Sequence, residues 1–337
     1  MALSAVVLVS LFPSAFESAY AAGSAARLCS AEEMRSLKAP ATAAEPAFTM
    51  VCSPTLGPGD TISKQILFRG QAASSALLDC AGGRLVGNSI KADTIEVNSI
   101  ETAPGEWSRP TDVTIRNCQV DGSVRVWGMS VNGEGERVRQ SSIRLGHIER
   151  AQSAAPRGVT IENSTITARG RIPIYLAPGV TYFTFSNSVL AGHSQSVAIY
   201  FDAESGHNVI RNSRLAVKSR REQIAIDGSA HNQIVGNRFE RLARGGVYLY
   251  RNCGLQGTVR HQTPSYNRVT GNTFIKPRWW ENRVSRDNLA MNWSLGSPVI
   301  WENSRRRKNW FCDDDKGYPF GSSIDDASGA TGNILQH

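Results

Sequence analysis

Two acids occupy the same place in two consecutive segments of the chain: Asp202 in "VAIYFDAESG" (197–206) and Asp227 in "QIAIDGSA" (223–230). Each closes a short apolar alternation and is followed by small residues. If the segments stack as adjacent strands, the two carboxylates lie about 4.8 Å apart on one solvent face. Like charges directly opposite one another are destabilising, so a retained pair implies a compensating cation, a shared proton or a use for the charge. Three chemistries fit. The pair could act as acid and base in glycoside hydrolysis. It could hold Ca²⁺, which would neutralise a substrate carboxylate. Or it could form a structural ion pair with Arg251.

The same alignment brings other reactive side chains to this face. Tyr175, Tyr200, Tyr248 and Tyr250, four of the eight tyrosines, crowd one strip, with Arg125 below them and Glu204 just beyond Asp202. Exposed tyrosines stack on sugar rings and can donate protons, although their β-propensity alone would also place them on a sheet. The segment "YRNCGLQGTVRHQTPSYN" (250–267) contributes Arg251, Arg260 and His261, whose imidazole titrates near neutral pH. A second long segment, 131–156, carries Arg137, Arg139, Arg144, His147 and Arg150 and would overhang the Arg125 end, where it could clamp an anionic chain.

A repeat must position these groups. Six lines share one pattern: "VTIRNCQVDG", "VTIENSTITARG", "FTFSNSVLAG", "NVIRNSRLAV", "NQIVGNRFER" and "NRVTGNTFIK". Their asparagines, Asn117, Asn163, Asn187, Asn212, Asn237 and Asn272, are spaced by 46, 24, 25, 25 and 35 residues. The 46-residue interval is either one coil with a long insertion or two coils, one of them irregular. Self-similarity at this period with two-residue apolar alternation describes the coils of a parallel β-helix. An asparagine at a tight turn tolerates left-handed backbone, and stacked amides can bond from coil to coil. A second strand follows each line and places Val126, Leu176, Phe201, Ile226 and Leu249 in one inward column. Two outward columns flank it: Arg125, Tyr175, Tyr200, Ala225, Tyr248, and Trp127, Ala177, Asp202, Asp227, Tyr250.

On these lines, from about residue 60 to 276, the chain resembles the pectin-lyase-like, right-handed parallel β-helix superfamily, in its bacterial β-helix-repeat branch. The resemblance implies an all-β right-handed solenoid with an N-terminal cap and an irregular C-terminal segment (277–337). That superfamily contains polysaccharide lyases, glycoside hydrolases, uronan epimerases and non-catalytic binders, and a fold does not choose among them. The Asp-Pro-His signature of uronan epimerases is missing. The repeat also lacks the paired Asp-Asp and Gly-His-Gly signatures of polygalacturonase-like hydrolases. The expected activity is a polysaccharide lyase cleaving an acidic glycan. Arg251, or Ca²⁺ on Asp202 and Asp227, would neutralise the uronate, and Tyr250, His261 or Tyr248 would move protons. Arg125, Tyr175, Tyr200, Glu204 and Arg260 would hold substrate. A hydrolase using Asp202 and Asp227 and a non-catalytic glycan- or envelope-binding β-helix are the alternatives.

The ends and the overall charge add context. An apolar run from Ala2 to Phe12 before Ala19-Tyr20-Ala21 reads as a signal peptide over residues 1–21, although no Lys or Arg precedes the run. The remaining chain, 22–337, reads as one domain without a membrane-spanning segment, secreted or periplasmic. Six cysteines suit an oxidising compartment. Cys29–Cys52 and Cys253–Cys312 are the expected pairs, while Cys80 and Cys118 could bond or merely stack. None has zinc-ligand spacing. A net charge of +8 and a pI near 9.4 favour an acidic polysaccharide partner over nucleic acid, for which no motif is present. In the C-terminal segment, Trp279 and Trp280 read as a solenoid cap and Asp313 to Asp315 as an acidic run.

Overall fold

The structure, a computed structural model, describes residues 27–242, 244–252, 257–276, 283–286, 297–302 and 329–337. Its strands form three long parallel sheets, of ten, nine and eight strands, wound as a solenoid. One coil illustrates the path. Thr160–Glu162 lies in the third sheet, Thr165–Gly170 in the second and Ile174–Leu176 in the first, and the chain then returns to the third at Thr184–Ser186. Each strand pairs with the equivalent strand one coil away, so a residue type repeated at the coil period becomes a continuous column. The 46-residue interval proves to be one coil with an insertion, because Val124–Trp127 pairs directly with Ile174–Leu176.

The inward column of the first sheet runs Val126, Leu176, Phe201, Ile226 and Leu249 in pairing register, every member at 0% exposure. Ile161, Phe185, Ile210, Ile234 and Val269 do the same in the third sheet. The solenoid interior is thus a stack of aliphatic and phenyl side chains, and burial of that apolar surface is the dominant stabilising contribution. The open N-terminal end is covered by a helix, α1 (Ala31–Lys38), whose start is fixed by a capping box between Ser30 and Glu33 and whose Leu37 is fully buried. Cys29–Cys52 ties this cap to the next strand segment, and Cys80–Cys118 joins two adjacent coils by a second disulfide. The Cys253–Cys312 pair, Trp279, Trp280, Asp313 to Asp315 and the 1–21 segment lie outside the described residues.

The turn columns correct the expected asparagine ladder. Asn117, Asn163, Asn187 and Asn212 adopt left-handed backbone, with φ from 49° to 54°, but in the next two coils that place belongs to Gly236 and Gly271. Asn237 and Asn272 fall one residue later, in the column of Cys118, Ser164, Ser188 and Ser213. That column is the ladder. The Ser164 N–H donates to Ser188 Oγ (3.0 Å), Ser188 N–H to Ser213 Oγ (3.2 Å), Ser213 N–H to Asn237 Oδ1 (3.0 Å) and Asn237 N–H to Asn272 Oδ1 (2.9 Å). A second ladder, on the turn entering the third sheet, uses Asn208, Asn232, Asn267 and Asn333 in the same way, at 2.7–3.0 Å. Both satisfy backbone donors that the turns would otherwise leave buried and unpaired.

The 131–156 insertion folds as two short helices, α2 (Glu136–Ser142) and α3 (His147–Ala154). They lie against the turns that leave the first sheet. A Cβ on Gly179 would stand 2.2 Å from the Ala151 carbonyl oxygen, so only glycine permits α3 to sit this close. None of the described helices is long and apolar enough to cross a membrane.

Candidate active site

The outward columns of the first sheet hold in register: Arg125 pairs with Tyr175, Tyr175 with Tyr200, Tyr200 with Ala225, Ala225 with Tyr248, and Asp227 with Tyr250. Asp202 follows Phe201 and Asp227 follows Ile226, so the two acids occupy equivalent places on neighbouring coils. The expectation of a solvent-facing pair is overturned. Asp202 is 1% exposed and Asp227 0%. Helix α3 and the 257–265 loop fold over the Asp202 and Glu204 end of the sheet, and Asn252 closes on Asp227.

A buried carboxylate needs partners, and each acid has its own. Asp202 Oδ2 accepts from the Tyr175 hydroxyl (2.6 Å), and its Oδ1 accepts from Arg260 Nη1 (2.7 Å) and the Ala203 N–H (2.9 Å). Asp227 Oδ2 accepts from the Tyr200 hydroxyl and from Asn252 Nδ2, and its Oδ1 accepts from the Asn252 N–H (2.7 Å). Two tyrosine–aspartate pairs therefore repeat one coil apart, each running diagonally from one outward column to the other. Their phenol rings stack with centroids 5.1 Å apart, and the Arg125 guanidinium lies 4.2 Å above the Tyr175 ring. Burial and the adjacent carboxylate hold both phenols well above the usual tyrosine range, so they stay protonated.

The two pairs differ in electrostatics. Asp202 faces a fully charged guanidinium, whose own ionisation is strengthened by Asp202 against burial. The hydrogen bonds on Asp227 come from a phenol and an asparagine. Tyr200 and Asn252, the two partners of Asp227, are partly exposed as residues while Asp227 is not.

The other expected residues are placed as follows. Glu204 is buried, not displayed, and its carboxylate accepts from the His261 and Gln262 N–H groups (2.9 and 3.0 Å); burial raises its pKa to about 7. His261 is half-buried, with Nε2 2.6 Å from the Ser142 carbonyl and its ring edge-on to His147 at 5.0 Å. Burial pushes the pKa of His261 down, and that of His147 to about 3, so this pair is neutral and braces α2 against the loop. Tyr248 and Tyr250 are buried, contrary to the expected exposed strip. The Tyr248 hydroxyl donates to the Arg244 carbonyl, and the Tyr250 hydroxyl lies 3.0 Å from Glu222 and accepts from Arg221 Nη2 (2.9 Å). Arg260, not Arg251, holds Asp202. Arg251 is half-buried and its Nη1 reaches the Arg260 carbonyl at 3.5 Å.

Three participants were not singled out in the sequence. Asn252 bridges Tyr200 and Asp227, Arg221 stands beside Tyr200, and Glu222 pairs with Arg221 at 2.8 Å. Asn252 lies two residues beyond the partner of Asp227 in the strand register, the one sequence signal that could have found it. The donor set does not suit Ca²⁺, which takes six to eight oxygen ligands. All four carboxylate oxygens of the two acids accept from N–H or O–H donors, and a guanidinium occupies the space beside Asp202. Among the described residues, the single cluster with metal-ligand spacing is Cys29, Glu33 and Cys52, whose cysteines are bonded to each other.

Comparison with known proteins agrees with the fold. No curated protein matches the chain in sequence. Among solved structures, the chain is similar to an alginate lyase from Paenibacillus sp. str. FPU-7, at 10% identity and a TM-score of 0.39 over 79% of this chain and 95% of that one. It is also similar to the A-module of the Azotobacter vinelandii mannuronan C-5 epimerase AlgE6, at 12% identity and a TM-score of 0.36 over 85% of this chain and 81% of that one. Likeness at that level carries no argument about chemistry. The family model for the right-handed β-helix region matches residues 106–276, half of the sequence, and the chain belongs to that family.

Proposed function

We propose that the protein is an enzyme acting on an acidic polysaccharide outside the cytoplasm, and that it cleaves a uronate chain by β-elimination. The observation that carries this reading is the Tyr200–Asp227 pair: a buried carboxylate that accepts from the hydroxyl of a partly exposed tyrosine. In the elimination, the Tyr200 oxygen takes the proton α to the uronate carboxylate as its own proton passes to Asp227. The electron pair left on carbon forms the new double bond and expels the glycosidic oxygen. The pair then returns the proton to that oxygen, so the dyad ends as it began. Positive charge at the substrate carboxylate lowers the cost of the developing enolate, and Arg251, half-buried just beyond Tyr250, is the guanidinium assigned that role. Arg260 holds Asp202, and Asp202 in turn fixes Tyr175, whose partly exposed ring forms the floor on which the neighbouring sugar rests.

The hydrolase alternative requires one carboxylic acid at the glycosidic oxygen and a second carboxylate that reaches water or the sugar carbon. Asp202 and Asp227 are both enclosed and both committed to other donors, which weighs against it. Two disulfides favour an oxidising compartment, and the +8 net charge favours an anionic partner. The test is incubation with a panel of acidic glycans while ultraviolet absorbance and reducing ends are followed together. Growth of the unsaturated-uronate chromophore is expected. New reducing ends without it would replace the lyase by a hydrolase, and binding without either would replace the enzyme by a binder.

A further inference from the structure

The two insertions that follow neighbouring strands of the first sheet face each other across a cleft of about 340 Å³. One wall is an antiparallel hairpin (Ile100–Ala103 and Glu106–Ser108), which leaves the sheet after Ile95–Asn98. The other wall is formed by α2 and α3, which leave after Val124–Trp127. The volume sits at the lower end of the roughly 300–1,000 Å³ found for small-molecule sites. Neither wall belongs to the repeat, and nothing in the solenoid core requires them to meet here.

The lining has a definite chemistry. Arg137, Arg144 and Arg150 line the helical side, and Trp107 and Glu101 the hairpin side, with Met129 between them. Arg137 bridges the walls through Glu101 at 2.9 Å, which fixes the width of the cleft. Arg150 is fully engaged: its Nε donates to Ser141 Oγ (2.9 Å) and its Nη groups donate to the Ser141, Arg144 and Leu145 carbonyls. It locks α2 to α3 and leaves its charge at the cleft. Arg144 is exposed, its Nε donates to the Gln140 carbonyl (3.3 Å), and among the described residues no carboxylate pairs with it. Three guanidinium groups against one carboxylate favour an anion, and a partly exposed indole opposite them favours a ring with an apolar face. A carboxylate-bearing sugar has both properties.

We infer that this cleft binds an acidic sugar residue, as a subsite distant from the tyrosine–aspartate pairs. The strand before α2 lies two strand spacings from the strand before Asp202, or roughly 10 Å along the solenoid axis. A single glycan chain running along that axis reaches both. The choice of ligand rests on the proposed acidic-glycan reading, but the cleft can be tested without turnover.

The experiment is a titration of the Asp227→Asn protein with oligogalacturonate and oligomannuronate of matched length, with a neutral glucose oligosaccharide as control, read by calorimetry and by tryptophan fluorescence. At least one acidic ligand is expected to bind and to change the fluorescence, and the neutral one to do neither. Arg144→Ala should weaken binding about tenfold. Trp107→Phe should remove the fluorescence change. Far-ultraviolet circular dichroism and the thermal midpoint of each variant, unchanged from the parent, establish that the fold is intact. Binding that survives both substitutions undiminished would overturn the subsite, as would the lack of any acidic ligand at millimolar concentration. If acidic ligands bind with these dependencies but no glycan is ever cleaved, the subsite stands and the lyase reading falls.

Discussion

Two columns of this solenoid are built by the same rule and come out differently. In the Ser164–Ser188–Ser213–Asn237–Asn272 column, each rung does what the one below it does: a side-chain oxygen accepts the backbone N–H of the previous coil. In the Asp202–Asp227 column, two equivalent acids have different companions. One has a tyrosine and an arginine, the other a tyrosine and an asparagine, and neither set recurs in the next coil, where Tyr250 takes the place. The contrast teaches that repetition satisfies the backbone, whereas departure from it marks side chains whose identity answers to something other than the fold. Burying an acid needs donors and a reason, since an apolar residue there would be cheaper.

The contrast can be broken by substitution. Asp227→Asn has the largest expected effect: turnover of an acidic glycan falls on the order of a thousandfold, because the amide cannot take the phenol proton. Steady-state rates measure it. A rate near that of the parent would remove the pair from the mechanism. Glu204 sharpens the contrast in a different way, because the ladder contains no titrating group. Its pKa of about 7 in the folded protein exceeds the ordinary value of 4.5, so the folded state holds the proton more tightly between those pH values. The stability this contributes is present below about pH 4.5 and is lost as pH rises through 7, by roughly 3 kcal/mol. The thermal midpoint of Glu204→Gln relative to the parent should therefore rise from pH 4.5 to pH 7.5. A constant difference would contradict the assignment.

On the ladder side, Asn237→Ala leaves the buried Ser213 N–H without its acceptor and should cost about 2 kcal/mol in denaturant unfolding. The specific activity of the folded fraction should not change. Asn187→Gly, at an exposed left-handed turn position, should change stability by less than about 0.5 kcal/mol.

The coil period, the inward column and the equivalence of Asp202 and Asp227 were all legible in the sequence, because a two-residue alternation repeated every 24 or 25 residues leaves little freedom of register. The asparagine column was misread by one residue at Asn237 and Asn272, since glycine replaces asparagine as the left-handed residue there and moves the asparagine into the ladder. The burial of the acids was not legible. It depends on contacts such as His261 with Ser142 and Arg260 with Asp202, separated by 119 and 58 residues, and no local pattern records them. Tyr248 and Tyr250 look like surface aromatics by alternation alone. They are buried because a small apolar cluster with Val197, Ala225 and Trp301 forms on the outer face of the same sheet.

The most direct test is the Tyr200→Phe protein, assayed on the acidic glycan that the parent cleaves, with the thermal midpoint measured on the same sample. The phenyl ring preserves the 5.1 Å stack on Tyr175 and deletes only the hydroxyl that bonds Asp227. The expected result is a loss of unsaturated-uronate formation of at least a hundredfold with a midpoint within a few degrees of the parent. Turnover equal to that of the parent would contradict the account.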